Sequence, residues 1–156
     1  MYLLLKALHL LAVVMFLGNV TTGLFWKAHA DRTRDPRIIA HALDGIIRSD
    51  RLFTLPGAAL IVLAGFAAAE LGGWPVFGTG WIWWSLTLFG VSGVLFAVAV
   101  APLQTRMRDL ARSSETHADL ERGGYRRLSI AWEVWGALAL LTPLAAFVLM
   151  ILKPTL

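Results

Sequence analysis

The chain of 156 residues has no cysteine. That excludes disulfides, iron–sulfur clusters, thiolate haem ligation and cysteine nucleophiles together. Charge is scarce as well: 15% of residues are charged, 58% are hydrophobic, and the mean hydropathy is +0.68. A soluble domain does not have this balance, so the chain reads as an integral membrane protein. Also missing are a glycine-rich phosphate loop, a nucleophile elbow and any catalytic-triad pattern. No internal repeat is visible beyond a loose similarity of two helical hairpins. A net charge of +4 raises the question of nucleic acid. The arginines, however, sit beside the hydrophobic segments, where orientation in a bilayer accounts for them, and no nucleic-acid partner is expected.

What is present is four apolar runs long enough to cross a membrane, at about residues 3–26, 52–71, 81–103 and 128–152. They are joined by polar stretches at 27–51 and 104–127. All Lys and Arg residues except Lys6 and Lys153 lie in those two stretches. The positive-inside rule makes the stretches cytoplasmic and puts both termini on the external, periplasmic side. The expected fold is a single transmembrane domain: an all-α four-helix bundle in a bacterial cytoplasmic (inner) membrane, multi-pass, with the lipid bilayer as its first partner. Ala28-His29-Ala30 imitates a signal-peptide cleavage site, but the preceding apolar run is too long and its positive charge follows it, so helix one is expected to stay.

The first helix is the most informative. It carries Lys6, His9 and Asn19 within an apolar run, and a membrane helix rarely holds such residues without a role. Leu5, Ala12, Phe16 and Gly23 share one stripe, flanked by His9 and Asn19, which therefore faces protein. His9 and Asn19 lie about 15 Å apart along the axis and serve two depths. His9 is the sharpest candidate, because imidazole is a common iron ligand and helical bundles hold haem between apolar faces. The alternative is a histidine bonded to a neighbouring helix. His29 lies about 30 Å further along and cannot share an iron with His9. Met150 is the candidate sixth ligand at a comparable depth, or else core packing.

The remaining polar residues divide into pairs. Glu70 should stand level with Lys6 and form an ion pair with it. Glu133 falls near the depth of Asn19, so the two form a proton-handling or substrate-contacting pair, or Glu133 neutralises Arg126 or Arg127. His41 and Asp44 share a helix face, with His29 and His117 in the same polar stretches, but the spacing is not that of a closed zinc site. Asp35-Pro36 reads as an N-cap with proline at the first helical position, opening an amphipathic helix on or beneath the inner surface. Ser49 or Asp50 reads as the cap of span two. Gly93, Ala97 and Ala101 read as a close-packing face.

The order of short motifs resembles a functionally unassigned family of small four-span bacterial inner-membrane proteins, which open as this chain does with Leu5-Lys6-Ala7-Leu8-His9-Leu10-Leu11-Ala12. More distantly it is similar to HemJ-type protoporphyrinogen oxidases, through Leu5-Lys6-Ala7 before His9, Thr54, Pro56, Gly80-Trp81, Tyr125-Arg126, Leu128 and Lys153-Pro154. A weaker echo of CopD-type membrane domains lies in His9-Leu10-Leu11-Ala12 with Leu17-Gly18. The HemJ-type likeness implies haem association through His9. Those oxidases also carry a lysine and a histidine in helix three, where Ser85 and Phe96 stand here, so the resemblance does not carry over protoporphyrinogen oxidation. The leading expectation is a haem b or porphyrin-binding membrane protein with His9 as axial ligand and Lys6 near a propionate, in electron transfer or porphyrin handling. The competing expectations are a non-catalytic subunit that binds a membrane partner protein or a second copy, and a small transporter using Asn19 and Glu133.

Overall fold

A computed structural model describes residues 1–155. Seven helices account for nearly all of them: α1 (Tyr2–Thr33), α2 (Pro36–Ser49), α3 (Leu55–Leu71), α4 (Gly80–Leu95), α5 (Ala101–Ser113), α6 (His117–Arg122) and α7 (Tyr125–Leu152). α2 runs into α3, and α4 into α5, each through a π-helical segment, Asp50–Thr54 and Phe96–Val100. Four continuous rods result, Tyr2–Thr33, Pro36–Leu71, Gly80–Ser113 and Tyr125–Leu152, each long and apolar enough to span a membrane. The protein is an all-α four-span bundle.

The polar stretches are thus mostly helical extensions of the spans. Asp35 caps α2 as its sequence suggests, accepting a hydrogen bond from the Arg37 amide at 2.8 Å, with Pro36 at the first position. Ser49 and Asp50 cap nothing, because the helix continues through them. Both π segments lie just before a proline, Pro56 and Pro102. Proline cannot donate to the carbonyl one turn back, and its ring crowds that carbonyl; a widened turn relieves the conflict without breaking the rod.

α1 packs along α3, α4 along α7, and α2 along α5. The side chains of α2 that face the bundle are Ile39, Ala40, Leu43 and Ile46, so this amphipathic helix lies beneath the spans. The main core is there too, at the arginine-rich end: Ile39, Leu43, Met107 and Leu120 are essentially inaccessible, packed with Ala30, Ala111, Tyr125 and Trp132. At mid-membrane the core shrinks to Ala12, Phe16 and Ile61. Large apolar side chains such as Leu11, Val14, Leu63, Val98 and Leu141 point outward along the rods. In water such a surface is a liability; in a bilayer it is the solvent-facing surface. Within the α4–α7 pair hydrogen bonds reinforce the packing, the hydroxyl of Ser85 donating to the Ala146 carbonyl at 3.2 Å and that of Ser92 to Ala139 at 2.6 Å. Ser85 thus serves as a tie between α4 and α7.

Candidate functional site: two cavities and a buried lysine

At the end that carries both termini, α1, α3, α4 and α7 enclose a cavity of about 240 Å³. It brings Lys6, His9 and Met150 together, the three residues singled out for cofactor binding, and adds Lys153 and the aromatic rings of Trp74, Trp81, Phe89 and Phe147. His9 Nδ1 lies 2.8 Å from the Ile61 carbonyl oxygen. A carbonyl only accepts, so Nδ1 carries the proton, and in the neutral ring Nε2 keeps its lone pair. Histidines that ligate metals are held in this way, by a backbone carbonyl on the other nitrogen. Gly65 makes the arrangement possible: a Cβ there would stand 2.9 Å from His9 Nδ1 and 3.0 Å from Cε1.

Lys153 is fixed at the mouth, its ammonium 5.4 Å from the Trp74 ring centre and 5.3 Å from that of Trp81. Lys6 is exposed and lines the same cavity. The expected Lys6–Glu70 ion pair does not form. Neither residue belongs to any ion pair of the described residues. Glu70 is exposed near the end of α3, and nothing at that level draws its carboxylate inward.

A second cavity, about 160 Å³, lies deeper toward the arginine-rich end. Phe16 and Phe89 line both cavities. Their rings, 5.4 Å apart between centroids, form the wall between them. Here Asn19 finds its partners, donating from Nδ2 to Thr54 Oγ1 at 2.8 Å and to Asp50 Oδ1 at 3.3 Å. The Thr54 hydroxyl donates to Asp50 Oδ1 at 2.8 Å, and Gln104 Nε2 donates to Oδ2 at 3.1 Å. Asp50 is 7% exposed and forms no ion pair. Its carboxyl group is therefore met by neutral side chains alone. Gly93 and Ala97 line this cavity, and a Cβ at Gly93 would meet nothing within 4 Å, so the small residues leave space and are not a packed seam.

Glu133 is not paired with Asn19, nor with Arg126 or Arg127. Its partner is Lys27, 2% exposed, whose ammonium lies 2.6 Å from Glu133 Oε1 and 2.8 Å from Asp31 Oδ2, also donates to the Ser129 hydroxyl, and sits 5.4 Å from the Trp132 ring centre. The Tyr125 hydroxyl closes the network, donating to Asp31 at 2.6 Å. A buried ammonium takes the nearest carboxylates, whereas the exposed Arg126 and Arg127 keep their hydration. The indole N–H of Trp132, which lines the second cavity, has no hydrogen-bond partner.

No group of three or more His, Cys, Asp or Glu that would hold a metal occurs among the described residues. His41 and His29 are exposed, and Asp44 is taken up by Arg112 at 2.7 Å, with Arg108 at 3.9 Å. The residues that sequence reading missed are Gly65, Lys27, Asp50, Thr54 and Gln104. In the sequence Thr54 stands out only as a motif match, and Lys27, Asp50 and Gln104 read as parts of loops or caps. A partial signal was there: an intramembrane Asn19 needs a partner on the neighbouring span at its own depth, and Asp50 and Thr54 stand one turn apart at that depth.

Four apolar rods with polar groups buried between them define a polytopic membrane protein. The chain belongs to the family described as predicted integral membrane protein (DUF2269), whose model matches residues 3–154. No curated protein and no solved structure matches it.

Proposed function

We propose that the termini-side cavity binds a haem or free porphyrin, with His9 Nε2 as axial ligand. One observation carries this reading. Met150 lies at the other end of the chain from Lys6 and His9, yet all three line one apolar, aromatic cavity, and His9 is held so that Nε2 is left for a ligand. Apolar rings on the walls suit a flat macrocycle, and Lys6 and Lys153 at the mouth suit its propionates. Met150 stands among the lining residues as the candidate second iron ligand. When bound, haem would supply one-electron chemistry; the chain's part is to orient it, exclude water and neutralise its carboxylates. The volume lies just below the roughly 300–1,000 Å³ usual for small-molecule sites, so a whole macrocycle needs the helices around the cavity to spread. We place the protein in a bacterial cytoplasmic membrane with the arginine-rich end inside, as the charge distribution favours.

The test is an absorption spectrum of the detergent-purified protein, oxidised and reduced, after expression with ample haem supply. The expected result is a Soret band that moves on reduction and is lost in His9→Ala. A colourless protein that also fails to take up added haemin overturns the reading.

A further inference from the structure

We propose that the arginine-side cavity is a binding site for a small monovalent cation of the sodium class, coordinated by oxygens of Asp50, Asn19, Thr54 and Gln104. The hydrogen bonds decide the chemistry. Asn19 and Gln104 turn their amide N–H groups to the Asp50 carboxylate, which accepts only. A side-chain amide turned over about its last bond puts its carbonyl oxygen where the N–H stood, so an ion seated beside Asp50 meets the oxygens of both residues. The Thr54 hydroxyl gives its one proton to Asp50 and accepts from Asn19 Nδ2; with the Asn19 amide turned over, that lone pair is open to an ion. What the cluster still offers is lone pairs around one negative charge.

A hard cation with oxygen ligands answers that need. One carboxylate balances a single positive charge; a divalent ion would leave excess charge inside the membrane, where it is costly. Transition metals favour imidazole or thiolate, and neither lines this cavity. Both π-helical segments line the cavity, one through Asp50 and Thr54 and the other through Phe96 and Val100. Such segments shift backbone carbonyls out of the regular ladder, and membrane proteins use interrupted helices to coordinate ions. The cavity has room for an ion and a few waters. The nearby cation, Lys27, is saturated by Asp31 and Glu133 and lies behind Trp132.

The experiment is thermal unfolding of the full chain in lipid nanodiscs, in sodium, lithium, potassium or choline chloride at equal ionic strength and fixed pH. Sodium should raise the midpoint over choline in a saturable way, and the sodium concentration needed should rise roughly tenfold or more in Asp50→Asn. Gly93→Leu puts a bulky side chain on the cavity wall and leaves every coordinating residue in place, and should weaken or abolish the sodium effect with the fold intact. Equal midpoints in all four salts overturn the proposal. So does a sodium effect that persists undiminished in both variants. A midpoint that follows pH but no alkali cation also overturns it, and makes Asp50 a proton site.

Discussion

At the end that carries both termini, the bundle is open: a cavity of about 240 Å³ separates the helix pairs, and on its walls single hydrogen bonds tie His9 to Ile61 and Ser85 to Ala146. At the arginine-rich end the same chain is filled. Met107 and Leu120 are fully buried, and Lys27, Asp31, Ser129, Glu133 and Tyr125 are bonded to one another across α1 and α7. The smaller cavity, with Asn19, Asp50, Thr54 and Gln104 on its wall, lies between these two regimes, behind Phe16 and Phe89. The difference follows from the solvent. Lipid gives apolar side chains no reason to leave it, so the membrane half is held by a few hydrogen bonds and by close backbone approach, and tolerates voids. Where the rods emerge into water, α2, α5 and α6 bury apolar faces in the ordinary way. The filled end should hold the fold, and the open end should be able to change its contents.

The strongest way to break that division is to strike the filled end at its charge network. Lys27→Met removes the cation that Asp31 and Glu133 share, and it leaves carboxylates against a buried surface. The expected loss is about 3 kcal/mol, at the low end for a broken buried ion pair because Glu133 is 57% and Asp31 26% exposed and both can rehydrate. Thermal unfolding in detergent reads it. Adding Glu133→Leu should return part of the loss, since the uncompensated carboxylate goes too. A Lys27→Met protein as stable as the parent would mean that the filled end does not hold the fold.

The open end should respond in the opposite sense, with binding altered and stability kept. Gly65→Ala places a methyl 2.9 Å from His9 Nδ1, so the ring must turn and give up the Ile61 carbonyl. That loss is about 1 kcal/mol. Alanine in place of glycine within a helix returns roughly as much. Unfolding should therefore be nearly unchanged, while the absorption band or the haemin affinity of the protein should change as in His9→Ala. An unaltered spectrum with bound haem would place the ligand on some residue other than His9.

The two ends also differ in how well the sequence discloses them. His9 was legible because imidazole in an apolar run is rare, and its cavity-mates Lys6 and Met150 followed from depth counted along straight helices. Lys27, Asp50 and Gln104 were not. Each stands where an apolar run gives way to charge, and a hydropathy reading closes the span there and assigns the residue to a loop or cap. The rods in fact continue: α1 runs unbroken past Lys27, and the second and third rods pass through π segments that no propensity announces, although Pro56 and Pro102 mark the places. The Lys6–Glu70 pair failed for a related reason. Equal depth makes a contact possible, but two exposed charges at a membrane surface gain little by closing it.

The mildest effect is expected outside the membrane, where α6 is fastened over the filled end. Thr116 and Asp119 form a reciprocal cap: the Thr116 hydroxyl and amide donate to Asp119 Oδ2 at 2.7 and 3.1 Å, and Thr116 Oγ1 accepts from the Asp119 amide at 3.2 Å. Hydrogen bonding from Thr116, its hydroxyl first and then its amide, holds the Asp119 carboxyl below its ordinary range, with Arg122 adding to the shift. A depressed folded-state value means that the cap stabilises fully above the unfolded carboxyl range of about pH 4 and that the contribution is lost as pH falls through the lower folded value. Hydrogen exchange across residues 116–122, compared between pH 6 and pH 3, should show α6 opening more readily in acid, with Leu120 loosened from the core it plugs. Thr116→Ala should open the same segment at both pH values and flatten its pH dependence. Because α6 contacts α7 and neither cavity, the spectrum and the sodium response should both survive the change.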